Sequence, residues 1–97
     1  MIRSFLNQGT EDIFDGSNSP DARATCPQQL WRRAQRKLEQ LDSAMELRDL
    51  RATPGNHLEP LSGERSGQHS IRINDQYRIC FKWTSAGPEE VEIVDYH

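Results

Sequence analysis

The hydrophobic period of this chain changes once along its length, and that change restricts what it can fold into. Leu30, Ala34, Leu38, Leu41 and Met45 recur at helical spacing, with Arg32, Arg36 and Glu39 on the opposite side. This is the pattern of an amphipathic helix that buries one stripe. From Ile71 onward the period is two. Ile71 and Ile73 alternate with Ser70 and Arg72, and Tyr77, Ile79, Phe81 and Trp83 alternate with Arg78, Cys80 and Lys82. Because successive strand side chains point to opposite faces, these residues predict a hairpin turning at Asn74-Asp75, with one apolar face and one face carrying Arg72, Arg78 and Lys82. A helical stripe and a one-faced sheet bury their apolar sides against each other. The expected fold is therefore α+β, a mainly antiparallel sheet with the N-terminal helices packed on one face.

The remaining elements follow from local signals. Met1 to Leu6, with Ile2 and Phe5, reads as a short strand. Thr10 is the expected cap of a brief helix with Glu11 and Asp12 in its first turn and Gly16 as its stop. Residues 16–25 are rich in Gly, Ser, Asn, Pro and Asp and predict a mobile loop. Pro27 suits the first position of the principal helix. Trp31, beside its stripe, belongs to the core edge or to a partner surface. Ser43 and Glu46 have capping-box spacing, so the helix is expected to break near Asp42 and restart toward Leu50, and Pro54-Gly55-Asn56 ends helical structure. Ser85 to Pro88 turns the chain into a last strand from about Glu90 to Asp95. No internal repeat or low-complexity segment is present.

At 97 residues the chain is expected to form one domain, residues 1–97. A hydrophobic fraction of 34%, with no apolar run long enough to span a bilayer, describes a polar-surfaced protein without a membrane role. The opening residues lack the apolar run of a signal peptide, which places the expected location in the cytoplasm. Cys26 and Cys80 stand far apart without metal-ligand spacing, so reduced, mostly buried thiols are expected and no metal site. The formal net charge of −3 argues against a general attraction to nucleic acid, yet the cations are clustered. Arg32, Arg33, Arg36 and Lys37 form one group, read either as a phosphate-binding face or as a solvated helix face paired with Glu39 and Asp42. Arg72, Arg78 and Lys82 form the other.

Asp95-Tyr96-His97 follows the apolar stretch Val91 to Val94 and sets a carboxylate, a phenol and an imidazole at one strand end. Histidine titrates near neutrality, a phenol donates or stacks, and a carboxylate accepts or fixes a tautomer, so proton transfer is the chemistry these groups suit. The plainer alternative is a frayed polar tail.

Three stretches together resemble the HigB branch of the RelE superfamily: Pro54 to Leu61, Gly67 to Phe81, and Val94 to His97. Met1 to Phe5 and Leu38 to Leu50 fit the same branch, and the loop from Asp15 to Thr25 is the weakest part of the likeness. The resemblance implies a compact RelE-like domain and a toxin of a type II toxin–antitoxin module that enters the ribosomal A site and cleaves messenger RNA. It implies a HigA-like helix-turn-helix antitoxin as partner, with operator DNA met only through that antitoxin. No cofactor is implied. Arg78 matches the family arginine at the scissile phosphate, and Asp95, Tyr96 and His97 match its functional C-terminal triplet. His97 is then a general acid or base, Asp95 orients it or polarises the 2′-OH, and Tyr96 stacks on a base or bonds a phosphate. Glu59 occupies a Leu-x-Pro-Leu setting where some members carry a histidine. It is assigned as general base, with pairing to Arg72 or Arg78 as the alternative. Arg72, Lys82, His57 and Arg65 are the residues expected to contact RNA, while His69 is more simply structural. Two departures, Ser62 where the family commonly has lysine and the acidic net charge, favour a second reading: an attenuated homologue that mainly binds its antitoxin and co-regulates the operon.

Overall fold

The computed structural model describes residues 1–96. Four strands, β1 (Glu59–Pro60), β2 (His69–Arg72), β3 (Tyr77–Thr84) and β4 (Gly87–Asp95), form one sheet in the order β1-β2-β3-β4, antiparallel throughout. Four helices precede them: α1 (Gln8–Asp15), α2 (Pro20–Thr25), α3 (Trp31–Ser43) and α4 (Leu47–Arg51). None of them is long and apolar enough to cross a membrane. The stripe of α3, Ala34, Leu38 and Leu41, is fully buried, and it shares one core with Ile71, Ile79, Phe81, Val91 and Ile93 of the sheet, Ile13 of α1 and Leu50 of α4. The α+β architecture is thus the expected one.

Several local expectations are corrected. Thr10 does not cap α1. Asn7 does, its side chain accepting from the Thr10 N–H at 2.9 Å, and this frees the buried Thr10 hydroxyl to accept from Ile93 N at 3.0 Å and tie α1 to β4. Gly16 ends the helix in the left-handed region at φ 79°, as a C-cap glycine should. The stretch expected to be a mobile loop instead contains α2. Ser19 accepts from Ala22 N, Pro20 supplies a ready-made first-turn φ, and Ala22 is buried, so the turn-rich composition encodes a helix start. Gly9 lets α2 approach: a Cβ there would lie 2.5 Å from the Asp21 carbonyl oxygen.

The principal helix begins at Trp31, after a 3-10 turn at Gln28–Leu30 that Pro27 introduces. Met45 falls beyond its end and is 86% exposed, so the stripe closes at Leu41. The break near Asp42 occurs as expected, but the capping carboxylate is Asp49, which accepts from the N–H groups of Met45 and Glu46. Met1 to Leu6 makes one parallel bridge, Phe5 to Val91, rather than a strand. Its bonds from Arg3 N to the Pro88 carbonyl and from Leu6 N to the Val91 carbonyl nevertheless cover the outer edge of β4. β4 starts earlier than predicted, at Gly87, because Pro88 is tolerated on this edge strand.

Candidate active site

The register of the sheet assembles the site. Opposite the helices, one row crosses all four strands: Glu59 pairs with Ser70, Ser70 with Cys80, and Cys80 with Glu92. The next row holds Arg72, Arg78 and Val94. Ser70 and Cys80 are small and fully buried, which gives long side chains a floor to lie across. Arg78 uses it. Its Nη1 reaches Glu59 Oε1 at 3.0 Å, donates to Ser70 Oγ at 3.2 Å and contacts the His57 carbonyl at 3.4 Å. The guanidinium also lies 5.0 Å from the centroid of the Tyr96 ring, within cation–π range. All of its polar contacts converge on Nη1. Among the described residues no acceptor meets Nε or Nη2, so one edge of the guanidinium fork is unengaged.

Arg65 completes the roof over Cys80. Its Nη2 lies 3.1 Å from Glu92 Oε1, an ionic contact without hydrogen-bond geometry, and its Nη1 donates to Gln68. Burial pushes the Cys80 thiol above its ordinary value, so it stays protonated and supplies volume rather than reactivity. Beside this pair of ion pairs lies a cleft of about 190 Å³ lined by Glu59, Pro60, Leu61, Ser62, Arg65 and Tyr96.

The structure therefore brings together Arg78, Glu59, Tyr96, Arg65 and the His57 backbone. The pairing named as the alternative for Glu59 is present, with Arg78 as the partner. Asp95 is set apart from this group by strand alternation. It pairs with Tyr77 on the helix-side face, where Gln76 Nε2 donates to its carboxylate at 3.0 Å and where its charge, after burial, helps raise the Tyr77 hydroxyl. His97 lies outside the described residues. Arg72 sits across from Arg78 but is engaged by Asp75. Lys82 is exposed and pairs across the strands with Glu89. His69 faces the core and stacks on Phe81 at 6.3 Å between ring centroids. Burial, aided by the Arg51 charge, lowers its pKa, and its Nδ1 is buried without a hydrogen-bond partner. Sequence reasoning missed Ser70 and Glu92. Glu92 had a signal, a polar residue alternating with Val91 and Ile93 along the last strand, whereas the role of Ser70 emerges only from the register that sets it between Glu59 and Cys80.

Arg32, Arg33 and Arg36 are exposed on α3, as a solvated face requires, but among the described residues no ion pair joins the basic residues of this helix to Glu39 or Asp42. Asp42 instead accepts from the Ile2 N–H at 2.8 Å.

Comparison with known proteins gives the family and the fold. The model of the RelE-like toxin of type II toxin–antitoxin system HigB matches residues 3–97. Toxin HigB-1 of Vibrio cholerae serotype O1 is 54% identical over 48 residues, a match spanning half of this chain and half of that protein's own length. Endoribonuclease HigB of Proteus vulgaris is 29% identical over 97 residues and aligns over all of both chains. A chain from the YoeB-YefM complex of Staphylococcus aureus shares the fold, with a TM-score of 0.61 at 13% identity over 100% of this chain and 98% of that one. With its family model matched from residue 3 to the last residue, the chain belongs to the HigB-like toxins of the RelE superfamily.

Proposed function

We propose that this chain is the toxin of a type II toxin–antitoxin pair and an endoribonuclease, cutting messenger RNA in the ribosomal A site by attack of a ribose 2′-OH on the adjacent phosphate. The observation that carries the reading is the posture of Arg78, anchored through Nη1 with its Nε and Nη2 edge unengaged by any described residue. That edge suits bidentate binding of two phosphate oxygens. Glu59, 3.0 Å from the same guanidinium, is then held beside the phosphate that its base chemistry would serve.

The reaction balances on side chains of this chain. Glu59 takes the 2′-OH proton, and the 2′ oxygen attacks phosphorus while Arg78 stabilises the crowded phosphate. The 5′ oxygen leaves with a proton from His97. The products are a 2′,3′-cyclic phosphate and a free 5′-hydroxyl. Tyr96, 40% exposed and lining the cleft beside Glu59, is suited to stack on an unpaired base. Asp95 acts at the strand end by orienting His97 or polarising the 2′-OH. The ribosome supplies substrate alignment. Residues 1–97 act as one domain in the cytoplasm. A HigA-like helix-turn-helix antitoxin holds the activity in check and carries the pair to operator DNA. The Proteus vulgaris relative, named as an endoribonuclease and aligned end to end, supports the reaction class.

The test is inducible expression of wild type, Arg78→Ala and His97→Ala in bacteria lacking the antitoxin, following growth and mapping message 5′ ends. Arrest with translation-dependent cuts that disappear in both variants is the expected result. Normal growth with intact messages, the protein being folded and abundant, overturns the nuclease in favour of an antitoxin-binding homologue.

A further inference from the structure

A second cationic feature lies away from Glu59 and Tyr96. A cleft of about 360 Å³ opens between α3, the turn before β1 and the end of β2, lined by Arg33, Arg36, Lys37, Gln40, Gly55 and Ile73. Among the described residues no carboxylate stands within ion-pair distance of its three cations. Two of them are held in place. Lys37 Nζ donates to the side-chain carbonyl of buried Asn56, whose own amide donates to the Leu50 carbonyl at 3.1 Å, and Arg33 Nη1 reaches the Ile73 carbonyl at 3.5 Å. Partial burial, then the charges of Arg33 and Arg36, lower the Lys37 pKa, so these cations repel one another without a compensating anion.

The cleft is joined to the Arg78 site by backbone. Gly55 lines the cleft, Asn56 accepts from Arg72 N at 2.7 Å, and the next carbonyl, that of His57, contacts Arg78. Arg72 follows the same path, one residue from Ile73 and paired across the strands with Arg78. We propose that the Arg33–Arg36–Lys37 cleft binds a phosphate of the nucleic-acid backbone, as a second subsite linked to Arg78 through the Gly55–His57 turn. This rests on the RNA-cleaving reading of Arg78. It also gives an acidic chain a local cationic track where its net charge of −3 offers no general attraction. The phosphate belongs either to the message being cut or to ribosomal RNA.

The test compares wild type with Arg33→Gln/Arg36→Gln, leaving Lys37 to hold Asn56, and with Arg23→Gln/Arg48→Gln as a control of equal charge change. Binding is measured by anisotropy over a salt series, using a single-stranded DNA octanucleotide, a DNA dinucleotide, and vacant ribosomes. If the message is the source, the cleft variant binds the octanucleotide about tenfold more weakly at low salt, and its log–log salt slope falls by about 0.7 for the one lost single-strand phosphate contact. The dinucleotide is then unaffected. Loss for vacant ribosomes alone assigns the phosphate to ribosomal RNA. No difference from the control on either probe overturns the cleft. Amide shifts in the wild-type protein keep the test independent of variant folding: perturbation by the octanucleotide at Gly55 and Lys37 supports the subsite, and perturbation confined to Arg78 and Tyr96 refutes it when ribosome binding is also unchanged. Cleavage by Arg78→Ala is scored separately. If that variant still cuts while binding depends on Arg33 and Arg36, the Arg78 assignment fails and the cleft stands.

Discussion

Replacing Glu59 by glutamine separates the carboxylate's chemistry from its place in the fold. Glu59 stands 3.0 Å from Arg78, with side-chain exposures of 44% and 17%. At that distance the gross attraction is about 5.5 kcal/mol at an effective dielectric of about 20, but desolvation and solvent screening offset most of it. For a pair this exposed a net contribution of about 0.5–1 kcal/mol is the physical expectation. Glutamine removes the charge but keeps the side chain's size beside Nη1, and the hydrogen bonds of Nη1 to Ser70 and the His57 carbonyl remain. The melting temperature should therefore fall by about 2–8 °C. Loss of a general base costs about 100- to 10,000-fold in rate, which is about 2.7–5.4 kcal/mol of barrier. The assay is the initial rate of message cleavage on programmed ribosomes across pH, with thermal melting alongside. The reasoning predicts a large rate loss, a small stability loss and disappearance of the acidic limb of the pH–rate profile. A rate and acidic limb unchanged from wild type would refute it and leave Glu59 as an ion-pair partner of Arg78.

Four further outcomes follow from the same geometry. Thr10→Val removes the acceptor of a buried Ile93 N–H and should destabilise the fold by about 1–3 kcal/mol in urea unfolding, without changing the Arg78 site. Gly9→Ala drives a Cβ onto the Asp21 carbonyl and should force α1 and α2 apart, read as a loss of about 1–3 kcal/mol and raised hydrogen exchange at Ala22. His69 has its native pKa lowered, so the unfolded chain binds its proton more readily. Its contribution to stability is present above the unfolded value of 6.5 and is lost as pH falls through the native one. His69→Phe should accordingly flatten the fall in melting temperature between pH 7.5 and 5.5 relative to wild type. Tyr96→Phe should retain much more cleavage than Tyr96→Ala if the ring acts by stacking on a base and on Arg78, with equal losses pointing instead to the hydroxyl.

Long-range order in this fold was legible where one face of an element is buried. The α3 stripe from Ala34 to Leu41 and the alternation of Ile71, Ile79 and Phe81 announced the sandwich of helix on sheet, because burial demands that period. Residues 16–25 misled because Ser, Pro and Asp serve both turns and helix starts, and only the packing of Ala22 decides between them. The N-terminal strand was overread because its bonds run to one edge of β4 through a single bridge. At the site, Arg78 and Glu59 were found through family likeness and are joined by an ion pair. The separation of Asp95 from Tyr96 required the register, since adjacent strand residues face opposite ways. Ser70 stayed hidden because a small buried hydroxyl acquires its role only from the arginine lying across it.

The central claim is that Arg78, with the groups gathered around it, forms a ribonuclease site. Its most direct test is chemical analysis of the cut ends made by purified protein on programmed ribosomes, for wild type and Arg78→Ala. The account predicts 2′,3′-cyclic phosphate and 5′-hydroxyl ends from wild type and near-complete loss of cutting in the variant with its fold intact. Cuts that leave a 3′-hydroxyl and 5′-phosphate, or cutting that persists undiminished without Arg78, would contradict it.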